Sequence, residues 1–365
     1  MGQSGMSDLV AESSVAGDIV HAVAKLIPWM KSRADALDRD AAFPAEEIDC
    51  LRRAGALSPP LPVRGSGTAD GLAALLVSVG EGNLAVGRIL EAHVNARHLI
   101  ARYGTPREDG RLYALWVTDS PANSLRMRRA GSRVILSGGK QFCSGAGHAT
   151  GAVVTALDED GATRMLVLPL CMGEVVRPLP SPLQGMRAAV TGAVDFTGCE
   201  VSAEAILGGP GDYLREPDFS AGAWRGSAVA LGGLIALLDH AAAQLRESGR
   251  LDSPHTQARL GQAFIARETS RLWVSAVARI AEDPAADAGY RVTTVGLGRI
   301  AVETACLDAM RLIQRSLGLS SFRQGTPVER ICRDLSTYLR QPAPDEVLTE
   351  AAAWFAAHPH ATVSP

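Results

Sequence analysis

Residues Gly138–Thr150 read GGKQFCSGAGHAT, and the meaning of this stretch decides how the rest of the chain is organised. Runs rich in β-branched residues flank it, Arg133–Ser137 (RVILS) and Ala152–Leu157 (AVVTAL), so an apolar β-rich region suddenly carries Lys, Gln, Cys, Ser and His among four glycines. Two readings meet here. Glycine-dense backbone lets N–H groups approach a flat or anionic ligand, with Phe142 as an aromatic wall and Ser144 as a hydroxyl donor. Equally, the Gly138–Gly139 pair makes the turn of an ordinary β-hairpin.

Working outward, the hydrophobic period separates three regions. From Ser14 to about Leu90 it is helical, with Ile19, Val23, Leu26, Ile27 and Met30 at steps of three and four. Phe43–Leu57 places Pro44 at a helix start, acids in the first turn and Arg52 and Arg53 near the end, as the helix dipole favours. After a Pro/Gly-rich link at 58–69, Gly71–Gly104 forms a helix pair broken near Gly80–Gly82. Near Arg111 the period falls to two. Six short segments between Arg111 and Phe196, separated by turns such as Asp158–Gly161, predict a compact β-sandwich or barrel that ends near Gly209–Gly211.

From about Ser220 the helical period returns in Gly226–Leu245, Pro254–Ala281, Val292–Leu317 and Pro327–Tyr338, with a last short helix at Glu346–Ala357. In the third, Val292, Val295, Ile300, Leu307, Met310, Ile313 and Leu317 form one stripe. The expected fold class is α+β, mostly α. It has an N-terminal α-helical domain (1–111), a central β-domain (112–215) and a C-terminal helical bundle (216–365).

Of the 365 residues 47% are hydrophobic and 21% charged, and the net charge of −3 offers no basic face for nucleic acid. The only tight basic cluster, Arg126, Arg128 and Arg129, is too small for that purpose. The six cysteines lack CxxC pairs or zinc spacing and read as reduced thiols of a cytoplasmic protein. The polar N-terminus has no signal-peptide order, with Met6 read as the natural start, and no charge-free apolar run of about 18 residues marks a membrane span. The expected ligand is a small molecule.

The α–β–α order and a series of motifs resemble the acyl-CoA dehydrogenase family of flavoproteins. Val117–Ser124 (VTDSPANS) resembles its flavin-holding strand end, and Lys140–Gly145 (KQFCSG) its K-x-W-I-[ST]-N segment. Leu183–Gly208 resembles the ending of its β-domain, the most specific match. Gln314–Phe322 (QRSLGLSSF) resembles a turn supplied to a neighbouring subunit, and Pro327–Leu335 (PVERICRDL) its P-x-E-[RK]-x-x-R-D, with Arg333 and Asp334 as a structural pair.

The resemblance implies FAD. Thr118 and Ser120 would hold the ring edge, Phe142 would pack on the ring and Ser144 would donate to it. Arg246, Gln257, Gln314 and Gly318 would hold the rest of the cofactor across a subunit boundary, with Arg250 a rival to Arg246 because the F-G pair of that motif is missing. It also implies a homodimer or homotetramer. Arg126, Arg128, Arg129 and Arg187 are candidates for CoA phosphates, solvation being their commoner fate.

The family's catalytic Glu is missing: ungapped counting from Arg333–Asp334 puts Pro342 there, and Ala221–Gly233 carries no acid. Three readings stay open. In the leading one the protein desaturates an acyl-CoA or related thioester, with Glu346 or Asp345, or Glu91 or His93, as the base and an electron-transfer partner. In the second it is a monooxygenase fed by a reductase, with His93, Ser144 and His148 near the flavin. In the third it binds flavin or acyl-CoA without turnover. His93 and Arg97 share a helix face at i,i+4, although a histidine in that position is more often structural.

Overall fold

The computed structural model describes residues 15–61, 67–106, 109–120 and 123–359. Among the described residues, five helices come first: α1 (Val15–Ala24), α2 (Ile27–Asp40), α3 (Ala45–Arg53), α4 (Gly67–Gly82) and α5 (Leu84–Tyr103). Asn83 separates the last two, because its extended backbone leaves the helix while its Oδ1 accepts from the N–H groups of Ala85 and Val86 at 2.9 and 3.4 Å. Gly80 is not the break. A Cβ there would lie 2.4 Å from the Val229 carbonyl oxygen, so it marks a close helix crossing.

Ten strands follow: β1 (Tyr113–Trp116), β2 (Arg126–Ala130), β3 (Arg133–Ser137), β4 (Gly139–Cys143), β5 (Gly151–Leu157), β6 (Thr163–Pro169), β7 (Val175–Pro178), β8 (Gly192–Asp195), β9 (Glu200–Ser202) and β10 (Ile206–Leu207). They form a seven-stranded sheet, β10-β6-β5-β2-β3-β9 with β1 beside β5, and a three-stranded sheet, β4-β8-β7. The two sheets share a core of Trp116, Leu136, Val154, Cys143, Val194 and Phe196. The other face of the large sheet packs Val153, Met165 and Val167 on Ala96 and Ile100 of α5, so β5 and β6 are covered on both sides and read as near-continuous apolar runs.

This arrangement corrects the hairpin reading of the glycine pair. β3 and β4 are not a hairpin: β3 pairs with β2 and β9, whereas β4 pairs with β8 in the other sheet. At Gly138 and Gly139 the chain passes between sheets, with a Cβ at either position 2.4 Å from a carbonyl oxygen, Ser124 on one side and Val194 on the other. Only glycine fits that passage. The arginine cluster lies on β2, which the sequence reading missed, with Met127 turned inward and the three arginines exposed.

The C-terminal helices are α6 (Asp218–Ala221), α7 (Trp224–Glu247), α8 (Pro254–Glu282), α9 (Ala288–Leu317), α10 (Pro327–Tyr338) and α11 (Pro344–Ala357). Residues Asp218–Glu247 are long and apolar enough to cross a membrane, yet 67% of the apolar window is buried inside the protein, because α7 is the bundle's central helix. The predicted stripe of α9 buries Val295, Met310, Ile313 and Leu317 but leaves Leu307 exposed.

β-region and bundle meet at Gly185, where a Cβ would lie 2.2 Å from the Arg333 carbonyl oxygen, and at Met186, whose N–H donates to Asp334 Oδ1 at 2.5 Å. Arg333 and Asp334 do not pair with each other. Arg333 binds Asp38 at 2.7 Å and Glu329 at 2.5 Å, while Asp334 faces Arg330 at 3.6 Å. Burial pushes the Asp334 carboxyl up to about 6.

Candidate functional site

The β-region presents an aromatic shelf built by Lys140. Its fully buried ammonium donates to the Val117 carbonyl, Asp119 Oδ1 and Thr155 Oγ1 at 3.2, 2.7 and 2.9 Å, drawing the 117–120 strand end onto β4. Two backbone bonds complete the seam, Gln141 N to Thr118 O at 2.9 Å and Ser120 N to Gly139 O at 3.2 Å. Thr118 and Ser120 thereby lie along the strand that carries Phe142, and Trp116 Nε1 fixes the Ser144 carbonyl at 3.0 Å.

Phe142 itself is 51% exposed and has φ +53°. A left-handed phenylalanine held open to solvent is strained, and such strain persists only where the surroundings impose it. An exposed flat aromatic beside two hydroxyl residues fits the chemistry of a planar heteroaromatic cofactor.

His93 does not join the shelf. It is 1% exposed, its Nε2 donates to the Leu57 carbonyl at 2.7 Å and its Nδ1 accepts from Tyr113 N–H at 2.9 Å. Both nitrogens are thus committed to backbone, and burial lowers the imidazole to about 4, so the ring stays neutral. Arg97 also donates to the Leu57 carbonyl, at 2.8 Å, which explains the shared helix face. As placed, His93 carries no proton for a ligand. His148 stacks on Phe43 with ring centroids 4.2 Å apart.

A chamber of about 460 Å³ opens among α5, the α6–α7 corner, α9, the end of α10 and α11. On its walls lie Arg88 and Glu91 of α5, Tyr338 at the end of α10, Arg299 of α9, and Pro342 and Glu346 around the start of α11. Neither His93 nor Thr118, Ser120, Phe142 or Ser144 lines it. Glu91, 7% exposed, is held by Arg88 and Asn95. Asn95 Oδ1 accepts in turn from Arg225 at 3.0 Å, and Arg225 pairs with Glu282 at 2.7 Å.

Tyr338 was not legible as a site residue. It is 6% exposed, its hydroxyl has no hydrogen-bond partner among the described residues, and burial raises its pKa well above the usual phenol value. A buried donor on the wall of a cavity with no protein acceptor is what a ligand oxygen would satisfy. Glu346 is exposed on the first turn of α11, and Asp345 beside it does not reach the chamber. Five carboxylates (Glu91, Glu216, Glu303, Glu346, Glu350) face two guanidiniums (Arg88, Arg299) around this space.

At the far end of the bundle Arg246 and Gln257 are exposed, and Gln314 and Gly318 stand at the end of α9. Arg250 donates to the Leu317 carbonyl at 3.2 Å and so ties down the α9 terminus, which leaves Arg246 as the freer cation. Arg187 donates to the Arg39 carbonyl at 3.0 Å and serves the seam between lobes.

Residues 227–340 match the family described as "Acyl-CoA dehydrogenase, C-terminal domain". Acryloyl-CoA reductase (NADH) of Anaerotignum propionicum is 26% identical over 208 residues, a stretch spanning 50% of this chain and only about half (52%) of that protein. Among solved structures, dibenzothiophene monooxygenase (TdsC) of Paenibacillus sp. A11-2 superposes with TM-score 0.77 at 18% identity, covering 93% of this chain and 97% of that one. Butyryl-CoA dehydrogenase of Megasphaera elsdenii superposes with TM-score 0.81 at 16% identity, covering 94% and 98%. Over 93–94% of its length the chain therefore shares the fold of these two solved structures, the acyl-CoA dehydrogenase superfamily fold.

Proposed function

We propose that the protein is a flavin-dependent oxidoreductase of monooxygenase type, acting on a small molecule in the 460 Å³ chamber. The observation that carries this reading is the state of the chamber's one buried carboxylate: Glu91 is tied to Arg88 and Asn95. By the resemblance, ungapped counting puts Pro342 where the family dehydrogenases keep their base. Removal of a proton next to a thioester carbonyl needs a free base within hydrogen-bond reach. Oxygen transfer does not. A bound flavin supplies the two-electron redox chemistry, and the side chains hold and orient.

Thr118, Ser120, Phe142 and Ser144 would receive the ring of the flavin, FAD by the family resemblance or FMN as in an FMN-bound structure of TdsC. Arg246, Gln257, Gln314 and Gly318 would serve its remainder across a contact between two copies. Tyr338 would donate to an oxygen of the substrate, and the five carboxylates against two guanidiniums would disfavour a polyanion such as CoA at this opening.

A second reading is supported by Glu346, the carboxylate closest in sequence to Pro342 on the chamber wall: a dehydrogenase of acyl thioesters with Glu346 as base. One experiment separates the two. Purified protein is loaded with flavin and followed by visible absorption under nitrogen with a panel of acyl-CoA esters, then as reduced flavin mixed with oxygen. The proposal expects no bleaching by any ester and tight binding of the reduced flavin. Bleaching by one ester, lost in Glu346→Gln, would replace it with the second reading.

A further inference from the structure

A second cavity, of about 220 Å³, lies behind the chamber where the C-terminal half of α5, the α6–α7 corner, the end of α8 and the start of α9 converge. Three arginines line it, Arg102, Arg225 and Arg291, together with His98. Two carboxylates are also present, and each is taken: Arg102 binds Asp218 at 2.7 Å and Arg225 binds Glu282 at 2.7 Å. Arg291 has no carboxylate partner among the described residues, and its guanidinium's one hydrogen bond there is to the Ala281 carbonyl. One positive charge is therefore uncompensated in a partly buried space, where an unpaired charge is costly.

The donors are unfinished as well. Seven buried side-chain nitrogen or oxygen atoms of the described residues lack a hydrogen-bond partner, and two of them, Arg225 Nε and Arg291 Nε, belong to this cavity. Arg225 is 4% exposed, so bulk water does not meet its need. His98 takes part through Nδ1, which lies 3.4 Å from Arg225 Nη2. Burial, and after it the charges of Arg225, Arg102 and Arg291, lower that imidazole to about 3.

We infer that this cavity is a binding site for a small oxyanion, a phosphate-like or carboxylate group, held by Arg291 and Arg225 with Arg102 at its edge. Guanidinium N–H donors in pairs match oxyanion geometry, and the volume admits a group of a few heavy atoms. The inference does not depend on the flavin reading, because the site shares no lining residue with the chamber.

The test is titration of the full-length protein with inorganic phosphate and, separately, acetate at constant ionic strength, by calorimetry and by NMR of the His98 ring. The expected result is saturable 1:1 binding of at least one probe and a rise in the His98 pKa on saturation, since the added negative charge offsets the arginines. The phosphate and acetate arms separate a tetrahedral from a planar oxyanion. Arg291→Gln should weaken binding at least tenfold. Arg102→Gln, at an exposed edge and so safe for folding, should weaken it severalfold. No saturable binding of either probe, or affinity unchanged in both variants, would overturn the site.

Discussion

Arg299 Nη1 donates to the Pro342 carbonyl at 3.0 Å, so the turn that leads into α11 is fastened to α9. The next residue, Ala343, has φ +55° and caps α11, a left-handed turn without glycine. Arg299→Ala should release this turn, costing about 1 kcal/mol of stability. Faster hydrogen exchange confined to residues 341–347 would be its mark, and unchanged exchange there would show that the bond carries no weight.

The orphaned hydroxyl of Tyr338 separates stability from function. Removing an unsatisfied buried donor relieves its desolvation cost, so Tyr338→Phe should be neutral or up to about 1 kcal/mol more stable in urea melts. Turnover of the chamber's substrate should fall at least tenfold. A variant both less stable and fully active would refute the assignment.

His93 should make the fold sensitive to acid. Its folded-state pKa of about 4 lies below the unfolded value of 6.5. The unfolded chain then binds more protons between these values, so this group's contribution is complete above pH 6.5 and is lost as pH falls towards 4. Each pKa unit is worth about 1.4 kcal/mol, giving a loss on the order of 3 kcal/mol across the window. His93→Gln should be less stable at pH 7.5 and show a flatter slope between pH 6.5 and 4. Equal slopes in variant and parent would contradict the argument.

Two glycines should respond in opposite directions. Gly139→Ala puts a methyl 2.4 Å from the Val194 carbonyl oxygen and should cost about 3 kcal/mol or prevent folding. Gly261, exposed inside α8 with nothing within 4 Å of a Cβ, should gain up to about 1 kcal/mol on becoming alanine. Thermal melts of the pair read the contrast directly.

Leu319 is 86% and Phe322 58% exposed in the turn after α9, beside the Arg250 contact, and Ile265 and Leu272 of α8 are 67% and 60% exposed. Apolar side chains this exposed, in the turn after α9 and along α8, are expected to be covered by a second copy. Light scattering should give at least a dimer, and Leu319→Ser with Phe322→Ser should shift it to monomer and weaken flavin binding. A monomeric parent protein would remove the two-copy cofactor site.

The helical parts of the fold were readable because their signals are local. Pro44, the acids after it and Arg52–Arg53 bracket α3, and the apolar steps of α9 mark a long helix. Pairing between strands is not local. Nothing in RVILSGGKQF tells that Ser137 and Gly139 belong to different sheets, since the obstacles that demand glycine there come from Ser124 and Val194. β2 escaped notice because its outward face is arginine. The shelf residues could be gathered from motif order alone, whereas the chamber draws its residues from six helices far apart in sequence. His93 was open to misreading for the same reason: its acceptor, Leu57, lies 36 residues away.

The crossing at Gly80 carries a mechanical consequence. There α4 and α7 touch backbone to backbone, and a Cβ at Gly232 would lie 2.2 Å from the Val77 carbonyl oxygen. At this crossing the backbones leave no room for a side chain, and on either side of it Leu76, Val79, Leu231 and Leu234 share one core, so the leading lobe and the bundle are closely packed there. Of the chamber's walls, α11 is the one that follows the turn Arg299 holds, and it is expected to open before the others. Amide exchange in α11 running ahead of that in α7 by orders of magnitude would reveal it swinging.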